Sequence, residues 1–113
     1  MIAERLKHLA ESANLILTTG GTGVSPRDVT PEATRDVIEK ELPGFSEAMR
    51  AESFKITPRA LGSRTVSGIY KETLIINLPG SPKAVSECFD VVSKSISHVL
   101  DLIKGIVDDC GRK

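Results

Sequence analysis

The sequence predicts an α/β domain with a largely parallel sheet. Segments with an apolar stripe at helical spacing alternate along the chain with short apolar runs, which is the order of elements in α/β domains. Two of those runs, at 15–19 and 72–78, are apolar with little alternation. Such continuity is typical of parallel strands that are covered on both faces.

Length and composition indicate one small globular domain. The 113 residues are 40% hydrophobic and 27% charged, as in ordinary folded proteins. Lys+Arg and Asp+Glu each number 15, so net charge gives no bulk attraction to nucleic acid or to an anionic membrane. Cys88 and Cys110 lack metal-ligand spacing and are predicted to be free thiols. With no signal-peptide pattern and no apolar run of membrane-spanning length, a cytoplasmic protein is expected.

The first third of the chain predicts helix, strand and helix in that order. Apolar residues at spacings of three and four predict a helix over 2–13. The run "LILTT" at 15–19 predicts a buried strand that ends in glycines. Thr30 is the predicted N-cap of a second helix, with Pro31 at its first position. That helix is expected to continue to "LPG" at 42–44.

The middle of the chain predicts a helix, a short turn and a strand. A helix is expected over roughly 45–53. Thr57 and Pro58 repeat the signal of a cap followed by proline, with room for about one turn after them. From Arg64 the apolar period changes, and "RTVSGIY" at 64–70 predicts a strand.

The last third predicts a strand and a long helix. A tight turn near Lys71 is expected to join the preceding strand to "ETLIINL" at 72–78. Ser81 and Pro82 are predicted to begin a helix that stops near Gly105. About three strands can be recognised, whereas a covered parallel sheet has about five, so we expect a domain whose first part is missing.

Two strands end in glycine turns, "TTGGTG" at 18–23 and "NLPGSP" at 77–82. Ligands of open α/β sheets bind at the carboxyl ends of strands, where backbone N–H groups and a helix N-terminus favour phosphate. Neither turn has the spacing of a P-loop or of a dinucleotide-binding fingerprint. The residues alone therefore leave open whether the first turn binds a ligand or only reverses the chain, and a capped connection is the commoner role of the second.

Few polar side chains are candidates for chemistry. Asp28 lies between the first glycine turn and the next helix, where it could hold a divalent metal beside a phosphate or simply cap the loop. Arg27 and Arg64 could pair with phosphate or lie on the surface, and Ser63 is a candidate hydrogen-bonding group. The two histidines lie on predicted helices without metal-ligand spacing in the sequence, and surface positions are expected for them.

Three segments together resemble the molybdenum-cofactor biosynthesis domain family: "LILTTGGTGVSPRDVTPEAT", "ITPRALGSR" and "TLIINLPGSPKAVSECF". The family comprises molybdopterin adenylyltransferases and molybdopterin-binding domains, including the G domain of gephyrin. The resemblance, which runs from about residue 2 to 105, implies a three-layer α/β/α fold. It further implies that residues 1–105 are the C-terminal two-thirds of a molybdopterin-binding domain, without the family's first strand, helix and strand, and that 106–113 form a polar tail.

The resemblance also implies an activity. Catalytic members are nucleotidyltransferases that adenylylate molybdopterin with Mg-ATP and release pyrophosphate. They are usually homotrimers, and a molybdate-inserting enzyme is an implied partner. A catalytically inactive molybdopterin-binding or scaffold module of the same fold is the alternative reading of the same residues.

Carried onto this chain, the family's motifs assign a site. Asp28 would serve Mg²⁺ and catalysis, and Ser63 and Arg64 would help to hold the substrate. The residues expected to line the nucleotide and pterin site are Thr19, Gly20, Gly21, Thr22, Gly23, Pro79, Gly80 and Ser81.

Overall fold

The structure, a computed structural model, describes residues 1–105. The predicted polar tail at 106–113, with Cys110, lies outside the described residues. In chain order the elements are α1 (Ile2–Ala10), β1 (Leu15–Thr19), α2 (Thr30–Val37), β2 (Lys40–Glu41), α3 (Pro43–Ile56), a 3₁₀ helix (Pro58–Gly62), β3 (Ser67–Tyr70), β4 (Thr73–Leu78) and α4 (Pro82–Lys104).

The described residues form one four-stranded sheet in the order β1-β4-β3-β2. β1 and β4 are parallel, with Leu15 opposite Leu74, while β3 is antiparallel to both of its neighbours. The α/β class is thus confirmed, and the parallel arrangement applies to the β1–β4 pair. β3 and β4 are antiparallel because a tight turn at Lys71, with φ of 56°, reverses the chain between them, whereas parallel pairing needs a crossover.

Helices cover both faces of the sheet, which gives the three expected layers. Every residue of β4 is buried, and its apolar side chains alternate between two core clusters. Leu74, Ile76 and Leu78 pack with α3 and α4, whereas Ile75 packs with α1 and α2. This two-sided burial is why the strand is apolar without alternation.

β1 is an edge strand of this sheet. Its Ile16 is buried in the cluster beneath α1 and α2. Leu17, on the opposite face, is 38% exposed. The edge of the sheet is therefore apolar at this strand.

The largest difference from the sequence prediction lies after α2. That helix ends at Val37, and β2 follows where the apolar spacing predicted a helix as far as 42–44. The backbone of this segment pairs instead with β3, and the Leu42 N–H donates to the Ser67 carbonyl at 2.8 Å. The pairing with β3 therefore decides the structure of this segment, although its apolar spacing is helical. The two residues of β2 are exposed and carry no apolar pattern that could have predicted a strand.

The helix starts and ends were predicted unevenly. Ser81 caps α4 by accepting from the Ala84 N–H at 3.2 Å, and Gly105 ends it in a left-handed conformation, as expected. The assignment of Thr30 as N-cap was wrong, because Val29 occupies that position and Thr30 is the first residue of α2. None of the helices in residues 1–105 combines the length and the apolarity needed to cross a membrane.

Candidate ligand-binding site

The two glycine turns lie against each other at the carboxyl ends of parallel β1 and β4. The Gly20 N–H donates to the Leu78 carbonyl at 3.1 Å. A Cβ added to Gly80 would lie 3.2 Å from the Gly20 Cα, so a side chain there would press against the Gly20 backbone, and glycine favours this close approach. The structure therefore joins the two turns that the sequence predicted separately.

The first turn is folded tightly onto the start of α2. Gly20 and Gly21 have φ of 86° and 71°, in the left-handed region that favours glycine. A Cβ on Gly21 would overlap the Thr30 Oγ1, and the Thr30 N–H donates to the Gly21 carbonyl at 3.1 Å. Among the threonines of this turn, Thr19 is exposed and Thr22 is buried.

Asp28 lies directly beside the first turn and is half-buried. Its Oδ2 accepts from the Ser25 N–H at 3.0 Å. A Cβ on Gly23 would stand 2.9 Å from that same oxygen, so the glycine allows the carboxylate to reach the loop. Oδ1 accepts no hydrogen bond from the described residues and is the oxygen available to a ligand.

A metal at Asp28 would need ligands from outside the protein. Residues 1–105 contain no group of three or more His, Cys, Asp or Glu side chains arranged to hold a metal ion. Mg²⁺ is commonly bound by one or two carboxylates together with water and substrate phosphates. A single carboxylate with one uncommitted oxygen, next to glycine turns, fits that mode of binding.

Arg64 fastens the first turn to the strand side of the domain. Its Nε donates to the Gly23 carbonyl at 2.7 Å and its Nη2 to the Asp28 carbonyl at 2.6 Å. Nη1 donates to the Glu32 carboxylate, which holds the pKa of Glu32 below its ordinary value. Arg64 was predicted to hold the substrate, and the structure places its guanidinium on the loop and on α2.

Sequence reasoning missed the role of Asn77, a polar residue near the end of β4. It is fully buried, and its Oδ1 accepts from the Val66 N–H at 3.0 Å. Its Nδ2 donates to the hydroxyls of Thr18 and Thr34 at 2.9 and 3.0 Å. The available signal was a single asparagine within "TLIINL", since a buried polar group requires hydrogen-bond partners.

A cavity of about 400 Å³ opens between α3, the 3₁₀ helix and the start of α4, and it is here called the main cavity because predicted site residues line it. A larger cavity of about 790 Å³, between β2, α3 and the second half of α4, is lined by none of the predicted site residues. Three predicted site residues line the main cavity, namely Ser63, Pro79 and Ser81. Its cationic lining residues are Arg50, Arg59 and Lys83, against one carboxylate, Glu87. Apolar walls with a few polar groups are typical of small-molecule sites.

The first glycine turn and Asp28 are not among the residues that line the main cavity. They adjoin it through the contact between Gly20 and Gly80. The structure therefore divides the predicted site into two neighbouring parts. One is a cavity with a positive lining, and the other is a glycine loop with a carboxylate.

Comparison with known proteins gives consistent matches. The family model described as "Probable molybdopterin binding domain" matches residues 1–98. The chain is 52% identical over 92 residues to the molybdopterin adenylyltransferase of Helicobacter pylori strain J99, covering 81% of this chain and 52% of that protein. It is also 55% identical over 93 residues to the molybdenum cofactor synthesis protein cinnamon of Drosophila melanogaster, covering 82% of this chain and 16% of that protein.

Solved structures agree with these matches. The molybdopterin biosynthesis Mog protein from Mycobacterium ulcerans superposes with a TM-score of 0.87 at 42% identity, over 90% of this chain and 68% of that one. The chain spans about half the length of the curated bacterial adenylyltransferases that it matches.

Proposed function

The chain belongs to the molybdopterin-binding domain family of molybdenum-cofactor biosynthesis, and we propose that it binds molybdopterin for adenylylation by Mg-ATP. The products would be adenylyl-molybdopterin and pyrophosphate. One observation carries the proposal: two glycine turns touch at the carboxyl ends of parallel strands, beside the half-buried Asp28. Curated relatives that match most of this chain include molybdopterin adenylyltransferases.

The main cavity has the chemistry to hold an anionic ligand. Ser81 and Lys83 line it at the start of α4, a 23-residue helix whose positive end favours phosphate. Ser63 contributes from the end of the 3₁₀ helix. The apolar lining, which includes Met49 and Ile56, suits the planar body of a pterin.

The first glycine turn would supply backbone N–H groups to phosphate oxygens. Phosphoryl-type transfer depends on positioning and charge stabilisation more than on a strong protein nucleophile. In this reaction a phosphate oxygen of molybdopterin attacks the α-phosphorus of ATP, and the bond to the pyrophosphate leaving group breaks. Mg²⁺ would neutralise phosphate charge, and Asp28 Oδ1 is the atom proposed to hold it, since Oδ2 is bonded to the Ser25 N–H.

A catalytically inactive molybdopterin-binding or scaffold module is the second candidate. It is favoured by the matching family model, which is described as a molybdopterin-binding domain and covers residues 1–98. Such a module would use the main cavity without transferring AMP. The two candidates therefore differ in pyrophosphate release and agree on binding.

The experiment measures both properties on the purified chain. Molybdopterin binding is followed by titration, and pyrophosphate release is followed with Mg-ATP present. Asp28→Asn is expected to abolish release and to leave the fold intact, while Asp36→Asn, on the exposed side of α2, serves as the matched control. Binding without release would support the module, and a folded chain that binds no molybdopterin would contradict both candidates.

We also propose a homotrimer and a molybdate-inserting enzyme as a partner, following the family resemblance. Sedimentation equilibrium of the purified chain tests the first proposal, since a concentration-independent monomer mass would contradict it. Transfer of the product to a candidate partner tests the second.

A further inference from the structure

Arg50 on α3 is not among the predicted site residues, yet it borders two cavities. It lines the main cavity, and it also lines a second cavity of about 310 Å³ between α2, α3 and the segment before β3. The side chain is half-buried. A cation in this position attracts negatively charged groups of a ligand in either cavity.

The hydrogen bonds of Arg50 are long. Its Nη1 lies 3.5 Å from the Ser63 carbonyl, 3.4 Å from the Thr65 carbonyl and 3.5 Å from the Thr65 Oγ1. Good N–H···O hydrogen bonds measure about 2.7–3.2 Å. Arg50 forms no ion pair with a carboxylate of the described residues. Its charge is thus met only by weak contacts with neutral oxygens.

The other arginines around the second cavity are compensated. Arg64 pairs with Glu32, and Arg35 pairs with Glu41 at 2.9 Å. Arg64 also makes two short bonds to loop carbonyls. Of these three guanidinium groups, the one on Arg50 is therefore left without a counter-charge within the described chain.

A half-buried cation without a counter-charge is favoured when a ligand supplies one. Guanidinium binds phosphate through two parallel N–H···O bonds. The remaining charged groups of the main cavity add two cations and one carboxylate, namely Arg59, Lys83 and Glu87. Together they give the cavity a net positive charge that matches a phosphate group.

We propose that Arg50 binds the phosphate group of the ligand in the main cavity and exchanges its long contacts with Ser63 and Thr65 for that phosphate. This deepens the proposed function, on which it rests for the identity of the ligand. The phosphate could belong to molybdopterin or to ATP, and the chemistry of recognition is the same for both.

The test measures binding to the purified chain by titration calorimetry, first with inorganic phosphate and then with ATP and with molybdopterin. Arg50→Gln is expected to weaken phosphate binding about tenfold or more, because it removes a charge-assisted pair. Arg50→Lys, which keeps the charge and loses the fork, is expected to lie between Arg50→Gln and the unchanged protein. Arg5→Gln, an exposed arginine on α1, is the matched control and should bind as the unchanged protein does.

Each outcome decides the proposal. A selective loss with ATP or with molybdopterin assigns the phosphate to that ligand. Unchanged binding of all three probes by a folded Arg50→Gln protein overturns the proposal, as does a folded unchanged protein that binds no phosphate. Phosphate binding lost through Arg50→Gln, in a chain that releases no pyrophosphate, would support this site while contradicting the adenylyltransferase activity.

Discussion

The two glycine turns are neighbours in space, but different forces shape them. The first, at 18–23, requires left-handed φ at Gly20 and Gly21 and is held by Thr30 and Arg64. The second, at 77–82, has no left-handed residue and leads into a helix capped by its own Ser81. Distant contacts therefore fix the first turn, and local capping fixes the second. A substitution in one turn should therefore spare the other, whereas a substitution of Asn77, which contacts residues beside both turns, should affect both.

Asn77→Ala is expected to have the largest effect, because Asn77 supports the ends of both β1 and β4. The change leaves the buried Val66 N–H and the hydroxyls of Thr18 and Thr34 without this partner. A loss of about 3 kcal/mol in the free energy of unfolding is expected, measured by urea denaturation. Asn14→Ala, at an exposed side chain, is the control, and equal small losses in both variants would contradict the network's role.

Gly21→Ala should disturb the first turn alone. The backbone conformation disfavours any side chain, and the new Cβ would overlap the Thr30 Oγ1. A loss of about 2 kcal/mol in the free energy of unfolding is expected, and urea denaturation measures it. Gly44→Ala is the matched control, since a Cβ there meets nothing within 4 Å. A neutral Gly21→Ala would show that the first turn does not require its left-handed backbone.

Ser81→Ala should weaken the second turn by a smaller amount. It removes the oxygen that accepts the Ala84 N–H at 3.2 Å, which costs about 1 kcal/mol at a helix N-terminus. Ser81→Asp retains a capping oxygen and should restore most of the stability. Hydrogen exchange of amides at the start of α4 checks the location, and faster exchange at 20–23 instead would contradict the independence of the two turns.

The smallest expected effect is a pH dependence of stability that arises from the Glu32–Arg64 pair beside the first turn. Arg64 lowers the pKa of the folded Glu32 carboxyl below its ordinary value of 4.5. A lowered folded pKa gives stability that is present above 4.5 and is lost as pH falls through the lowered value. The free energies of unfolding of the unchanged protein and of Glu32→Gln, measured by urea denaturation, are therefore expected to become equal in acid. The difference is small because the pair is exposed and screened, and a difference that grows in acid would contradict it.

The difference between local capping and distant contacts also explains which features the sequence could predict. The Ser81 cap and the Gly105 helix end depend on adjacent residues, and both were correct. The apolar run of β4 was recognised because burial on two faces leaves a local pattern. The start of α2 was misplaced because Thr30 is held by Gly21 across the turn, a contact without a local signal.

The functional residues could likewise be predicted only as far as local sequence signals reach. The sequence showed the charge of Arg64, but not the carbonyl of Gly23 that it bonds 41 positions away. It placed Asp28 beside a glycine turn, which the fold bears out as geometry, while the role of Asp28 stays a prediction. Arg50 was missed altogether, since neither the long contacts nor the two cavities around it leave a pattern in the chain.

The position of β1 at the edge of the sheet has a consequence for the protein in concentrated solution. An apolar edge strand can pair with a strand from another molecule, and natural sheets often block such pairing with lysine or proline. "LILTT" contains neither, and Leu17 adds an exposed apolar side chain beside the open edge. We therefore expect concentration, as much as temperature or denaturant, to govern how long the isolated chain stays in solution.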